Sequence, residues 1–370
     1  MSESVQVVVV GAGVVGLACA RRFAMAGYDT LVLEAESTFG TGVSARSSEV
    51  IHAGIYYAEG SLKAKLCLEG REALYRYCES RGVAHRQIGK WIVASDENQM
   101  SSLADLRDAA HTNGCTEVVW VEPAQLKSQA PELRCAGALY SPRTGIVDSH
   151  GFMQSLIADI ESSDGILAFR SPVSEIRVRD GDRFTIQLRD TQETTINARI
   201  VVNSTGLSAP QLAATVQGLK PSVPSAAFAK GNYFSYSGKV PFPHLVYPVP
   251  EKGGLGVHLT FDLDGRARFG PDVEWVDSPE YSVDAGRISS FAESIRQYWP
   301  AVDAGKLQPA YAGVRPKLGS RESFSKDFVI QDEQIHGIAG LWNLMGIESP
   351  GLTASLALAE HVFSTHRKLS

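Results

Sequence analysis

The stretch VQVVVVGAGVVGLACARRFAMAGYDTLVLE, residues 5–34, leaves a chain few folds to choose from. Its β-branched start suits a fully buried parallel strand. The strand runs into Gly11-Ala12-Gly13-Val14-Val15-Gly16, an Ala-rich helix follows as far as Gly27, and a second apolar strand closes on Glu34. This is a βαβ unit with G-x-G-x-x-G in its turn. Gly11 makes the tight turn, Gly13 lets backbone N–H groups approach a pyrophosphate, and Gly16 brings helix against strand. The helix N-terminus favours the negative charge. Glu34, with Ala35 after it, stands where a ribose 2′-OH needs an acceptor, and it repels a 2′-phosphate, so a phosphorylated nicotinamide is disfavoured. Dinucleotide binding follows. The motif alone does not choose between FAD and NAD.

The rest of the chain narrows the class. With 370 residues, 44% of them hydrophobic, it can build two domains or one large one. A net charge of -6 without a basic block argues against a nucleic-acid partner. No run approaches the roughly 20 apolar residues of a membrane span. Cys19, Cys67, Cys78, Cys115 and Cys135 are odd in number and contain no C-x-x-C, which speaks against a zinc site or a disulfide scaffold. They fit a reducing compartment, the cytoplasm or its membrane periphery. The first apolar run has the length of a secretion signal, but the MSES before it carries Glu3 and no basic residue, so it reads as the first strand of the nucleotide fold.

Downstream, residues 165–179, 183–190 and 194–206 are strand-like runs between turn residues, and 230–238, 244–250 and 255–265 alternate aromatic and polar residues as a pocket wall does. The charged stretches 177–183 and 189–193 read as solvated hairpin tips. No internal repeat or low-complexity linker interrupts the chain.

After Glu34 come RSSEVIHAGIYY (46–57) and SLKAKLC (61–67), then TGIVD (144–148), VYPVP (246–250), AGVRPK (312–317) and GIESPGLTAS (346–355). In combination these runs resemble the FAD-dependent D-amino-acid-oxidase superfamily and, within it, the L-2-hydroxyglutarate dehydrogenase/oxidase family. The resemblance implies FAD as cofactor and an α/β fold with two discontinuous domains. A Rossmann-type FAD-binding domain takes residues 1–90, 145–220 and 320–370. A substrate domain with an antiparallel sheet, α+β in character, takes 91–144 and 221–319. It also implies a small carboxylate substrate, an L-2-hydroxy acid oxidised to the 2-oxo acid. An amine or amino acid, as in glycine and sarcosine oxidases, is the alternative on the same fold. No motif selects the electron acceptor among oxygen, a quinone and a carrier protein.

Hydride loss from a 2-hydroxy acid requires a cation for the carboxylate, a base for the hydroxyl proton and stabilisation of the charge that reaches the flavin. Arg315 is the candidate cation, because a guanidinium pairs bidentately with a carboxylate; the superfamily has an arginine in a similar G-x-R-P setting. Lys317 is a candidate for a second carboxylate. His52 and His258 are the candidate bases. Strand alternation puts Leu255, Val257, Leu259 and Phe261 on one face and His258 on the other. His52 is also a candidate for covalent attachment of the flavin. Tyr247 and Tyr233 are either donors to substrate or ordinary sheet aromatics, and Lys230 reads as a solvated charge. A helix starting near Ser349-Pro350-Gly351, with Ser as cap and Pro in the first turn, directs its N–H groups at the flavin edge. On the resemblance, Arg46, Ser47, Ser48, Val173, Thr205, Gly206, Gly313, Gly346, Ile347, Glu348, Leu352 and Thr353 complete the cofactor contacts. No metal site is expected.

Overall fold

The computed structural model describes residues 3–179, 183–217, 219, 223–250 and 256–369. Its centre is the strand Glu3–Val10, whose Val7, Val8 and Val9 are fully buried, as a β-branched strand covered on both faces must be. It lies between Thr30–Leu33 and Thr195–Asn203 and runs parallel to both. Ile166–Ala168 extends this eight-stranded sheet beyond Thr30–Leu33. On its other side Thr195–Asn203 divides its edge: residues 195–198 pair with an antiparallel hairpin, and 201–203 pair in parallel with Leu341–Met345. The helices Val14–Ala24, Leu62–Arg81, Ser149–Glu161 and Gly351–Leu369 cover one face through Leu17, Phe23, Leu74, Phe152, Leu358 and Phe363.

The second sheet has nine strands. Its spine is the long antiparallel pair Ala226–Tyr236 and Leu307–Leu318, which runs from Ala226 opposite Leu318 to Tyr236 opposite Leu307 with one register shift after Tyr233. Trp91, Phe234, Phe269, Phe291 and Trp299 pack beneath it. One pair departs from the antiparallel expectation: Leu245–Pro248 runs parallel to Lys90–Ala94. The long connection between those strands permits it, since a hairpin cannot join parallel neighbours.

Several sequence expectations change in detail. Pro350 is not in the first turn. The helix begins at Gly351, and Pro350 stands just before it, its carbonyl accepting the Ala354 N–H at 2.9 Å. Lys230 is not solvated: it is buried and ion-paired with Glu280, with Glu274 at 4.0 Å. Leu255 and the tip of the 177–183 hairpin lie outside the described residues. All five cysteines are free. Among the described residues no cluster of His, Cys, Asp and Glu could hold a metal, and no helix is long and apolar enough to cross a membrane.

Candidate active site

A cavity of about 1940 Å³ is lined at one side by the Gly11–Gly13 turn, Glu34 and Thr205 and at the other by Tyr247, Arg315 and Lys317 on the second sheet. Sites for small ligands alone occupy roughly 300–1,000 Å³, so this one has room for a cofactor and a substrate together. At the nucleotide end the glycines are obligatory. Gly11 has φ +103°, and a Cβ on it would stand 2.8 Å from the Ser204 carbonyl oxygen. A Cβ on Gly16 would stand 2.0 Å from the Gly11 oxygen. The Ala12 N–H donates to Glu34 at 2.7 Å and the Val14 N–H to Ser44 Oγ at 3.0 Å, which fixes the turn. Val14, Val15, Ala35, Val173, Thr205 and Gly206 line the same wall.

The Ser-rich turn follows. Ser48 Oγ and the Tyr233 hydroxyl lie 2.7 Å apart, and Tyr311 donates to the Ser47 carbonyl at 2.8 Å. Tyr233 and Tyr311 stack with centroids 4.4 Å apart, so Tyr233 braces the turn. Arg46 lies over Tyr281, and its buried Nε has no partner. Gly313 is bare because a Cβ there would meet the Arg46 carbonyl oxygen at 2.4 Å. A helix N-terminus, a carboxylate at the ribose position and an unpartnered guanidinium N–H along one continuous cavity fit FAD.

His52 follows the strand Val50–Ile51; its N–H donates to Thr353 Oγ1 at 3.0 Å, and its Nε2 lies 3.1 Å from Ser349 Oγ. Burial pushes the imidazole down to about 3, with Lys90 adding to the effect, so His52 is held neutral. His258 lines the cavity, its ring flat on Tyr247 at 3.6 Å between centroids. Burial raises the Tyr247 phenol well above its ordinary value. The side-chain row expected around His258 is present: Val257, Leu259 and Phe261 enter the core. Arg315 lines the cavity and donates only long bonds to the Asp272 carbonyl, at 3.3 and 3.4 Å. Among the described residues it has no carboxylate partner.

Three expected cofactor residues stand off the cavity wall. Gly16 is taken up by helix–turn contact, Gly346 has φ +66° and packs against Leu318, and Thr353 ties the His52 strand to the last helix. Gly54 likewise lies off the wall, and its φ of +101° is what requires a glycine there. Ile347, Glu348, Ser349, Pro350, Gly351 and Leu352 do line the cavity.

Sequence reading missed two lysines. Lys90 is 1% exposed, and its Nζ sits 4.6 Å from the ring centroids of both Tyr56 and Tyr247. Burial lowers it to about 7. A lysine inside the fully buried strand KWIVA was the available signal. Lys63, in the first turn of Leu62–Arg81, opposes the helix dipole; that misfit was its signal. It pairs with Glu348 at 2.9 Å, and Lys317 pairs with the same oxygen at 2.6 Å.

A nucleotide cleft roofed by a second, largely antiparallel sheet defines a flavin-type oxidoreductase. The chain belongs to the FAD-dependent oxidoreductase family, whose model matches residues 6–364, and FAD is its cofactor. It is 41% identical to the mitochondrial L-2-hydroxyglutarate dehydrogenase of Arabidopsis thaliana, over 97% of this chain and 83% of that one. It is 31% identical to the corresponding mitochondrial protein of Homo sapiens, over 97% and 88%. Among solved structures, the fold matches L-alpha-glycerophosphate oxidase from Mycoplasma pneumoniae with a TM-score of 0.89 at 19% identity, over 99% and 95% of the two chains. Glycine oxidase from Geobacillus kaustophilus gives 0.82 at 20%, over 99% and 95%.

Proposed function

We propose that the chain oxidises an L-2-hydroxy dicarboxylate, L-2-hydroxyglutarate first among them, to the 2-oxo acid. The observation that carries this reading is Arg315, a guanidinium without a carboxylate partner among the described residues, facing the cavity that begins at the dinucleotide turn. The names of the relatives at 41% and 31% identity support the choice of substrate. Bound FAD supplies the hydride acceptor. Arg315 clamps the substrate carboxylate and so fixes which face of the 2-carbon is presented. A histidine held near 3 is a poor proton acceptor at neutral pH, so the hydroxyl proton goes to His258. His52 stays neutral and orients Ser349 at the start of the last helix. Tyr247 keeps the His258 ring in place by stacking. The first turn of that last helix offers N–H groups to negative charge.

The test is anaerobic titration of the purified protein while the visible flavin band is followed. Bleaching by the L enantiomer and not the D form is expected; a band that neither enantiomer bleaches overturns the reading. His258→Asn is expected to slow flavin reduction by about 10²–10⁴-fold with FAD still bound, and a smaller loss than His52→Asn produces would move the base to His52. The same reading assigns the FAD-binding part to 1–90, 145–220 and 320–370 and the substrate part to 91–144 and 221–319. It places the protein in the cytoplasm, with activity expected in the soluble fraction of the native source.

A further inference from the structure

Lys63, Glu348 and Lys317 form a cluster that the reaction just described does not use. Both ammoniums contact the same oxygen, Glu348 Oε1, and the side chains are only 8%, 8% and 15% exposed. Burial alone pushes the Glu348 carboxyl up, and the two lysines outweigh it, leaving it below the usual range and ionised. Two cations on one carboxylate leave the triad with one positive charge, and the Asp327 carboxylate on the same wall is taken up by the Leu62, Lys63 and Phe328 N–H groups. An ammonium carries three donors, and among the described residues neither lysine has a second acceptor. A buried net charge is costly unless an ion pairs with it.

Lys317 also sits in a telling place. In the strand Leu307–Leu318, Gly313, Arg315 and Lys317 alternate onto the face that lines the cavity. Two residues along a strand advance about 6.6–6.8 Å, so the two cations stand on one face at a spacing that a short diacid can bridge. Burial lowers Lys317, Glu348 raises it in part, and both Lys63 and Arg315 lower it further, so a second anion would relieve crowding among three cations. We infer that the Lys63–Glu348–Lys317 cluster seats the distal carboxylate of the substrate and makes the enzyme selective for dicarboxylates. This rests on the proposed reading, with Arg315 on the proximal carboxylate.

The test is equilibrium binding of glutarate and pentanoate, which are not oxidised, to the FAD-loaded protein by calorimetry. They differ only in the terminal carboxylate. Wild type is expected to prefer glutarate about tenfold or more, the worth of one charge-assisted bond. Lys317→Met is expected to abolish the preference by weakening glutarate alone, and Lys317→Arg to restore most of it. Flavin content and thermal midpoint are followed in each variant; if Lys317→Met does not fold, Lys63→Met takes its place with the same expectation. Equal binding of the two acids by wild type overturns the inference. So does a Lys317→Met protein that loses both acids alike, or one that loses FAD and keeps the glutarate preference, because the lysine then serves the cofactor. Should glutarate be preferred while L-2-hydroxyglutarate fails to bleach the flavin, the dicarboxylate site stands and the reading of the reaction falls.

Discussion

At the scale of single residues, burial does most to set charge. Lys90 is enclosed by the rings of Tyr56 and Tyr247 and has no carboxylate partner among the described residues, so its ammonium is held at about 7. The unfolded lysine titrates near 10.4. Between those values the unfolded chain binds a proton that the folded chain lacks, so stability contributed by this site rises with pH, and the full cost of the buried charge is present below pH 7. Lys90→Met is therefore expected to stabilise the fold by about 1–4 kcal/mol at pH 6, with the gain shrinking toward pH 9. Urea unfolding at the two pH values reads this directly, and a gain that grows with pH refutes it. His52 has the same sign at lower pH. Its folded value of about 3 lies below the ordinary 6.5, so its contribution is complete above 6.5 and is lost as pH falls toward 3. Against His52→Gln, wild type is expected to lose about 1 kcal/mol per pH unit below 6.5, less than the full 1.36 because the residue is only half-buried on the cavity wall. Acid denaturation midpoints of the two proteins check it.

At the scale of elements, what was legible in the sequence was local. The turn from Gly11 to Gly16, its helix and Glu34 follow from spacing within 34 residues, and each glycine stands where its missing side chain is required. The alternation around His258 is local too. What was not legible depends on pairings far apart in the chain. Glu348 meets Lys63 from 285 positions away, and Leu245–Pro248 runs beside Lys90–Ala94 in a direction no turn dictates. Gly313 shows the difference well: it lines the cavity, and a Cβ on it would meet the Arg46 carbonyl of the Ser-rich turn, a neighbour the sequence did not announce. Gly313→Val is accordingly expected to push strand and turn apart, costing about 1–3 kcal/mol, the usual range for overpacking, and to weaken FAD retention. Gly16→Val, with a Cβ 2.0 Å from the Gly11 oxygen, is expected to yield protein without bound flavin. The flavin-to-protein absorbance ratio after gel filtration measures both. A Gly313→Val protein with full flavin and an unchanged melting point would show that the turn yields without cost.

At the scale of the whole molecule, the cavity is the seam between two sheets, and both sheets line it. Gly11, Glu34 and Thr205 come from the ends of the first sheet, Gly231, Tyr247 and Arg315 from the second. Contacts that cross it include Ser48 with Tyr233, Tyr311 with the Ser47 carbonyl, Arg268 with Glu49, and Lys317 with Glu348. A cofactor lying in the seam binds the folded arrangement and not the unfolded chain, so it adds stability in proportion to the logarithm of its free concentration, about 2.7 kcal/mol at one hundred times Kd. The melting temperature is therefore expected to rise steadily with added FAD after the protein has been stripped of it. Glu34→Ala separates cofactor affinity from chemistry. Its carboxylate holds the Ala12 and Glu36 N–H groups and lines the cavity from the first sheet, whereas Arg315 stands on the second. The variant should need more FAD to reach a given melting temperature, yet reduce its flavin at the wild-type rate once the cofactor is saturating. A slower reduction at saturation would mean that the nucleotide turn also sets the position of the reacting end, and that the two halves of the cavity are mechanically one.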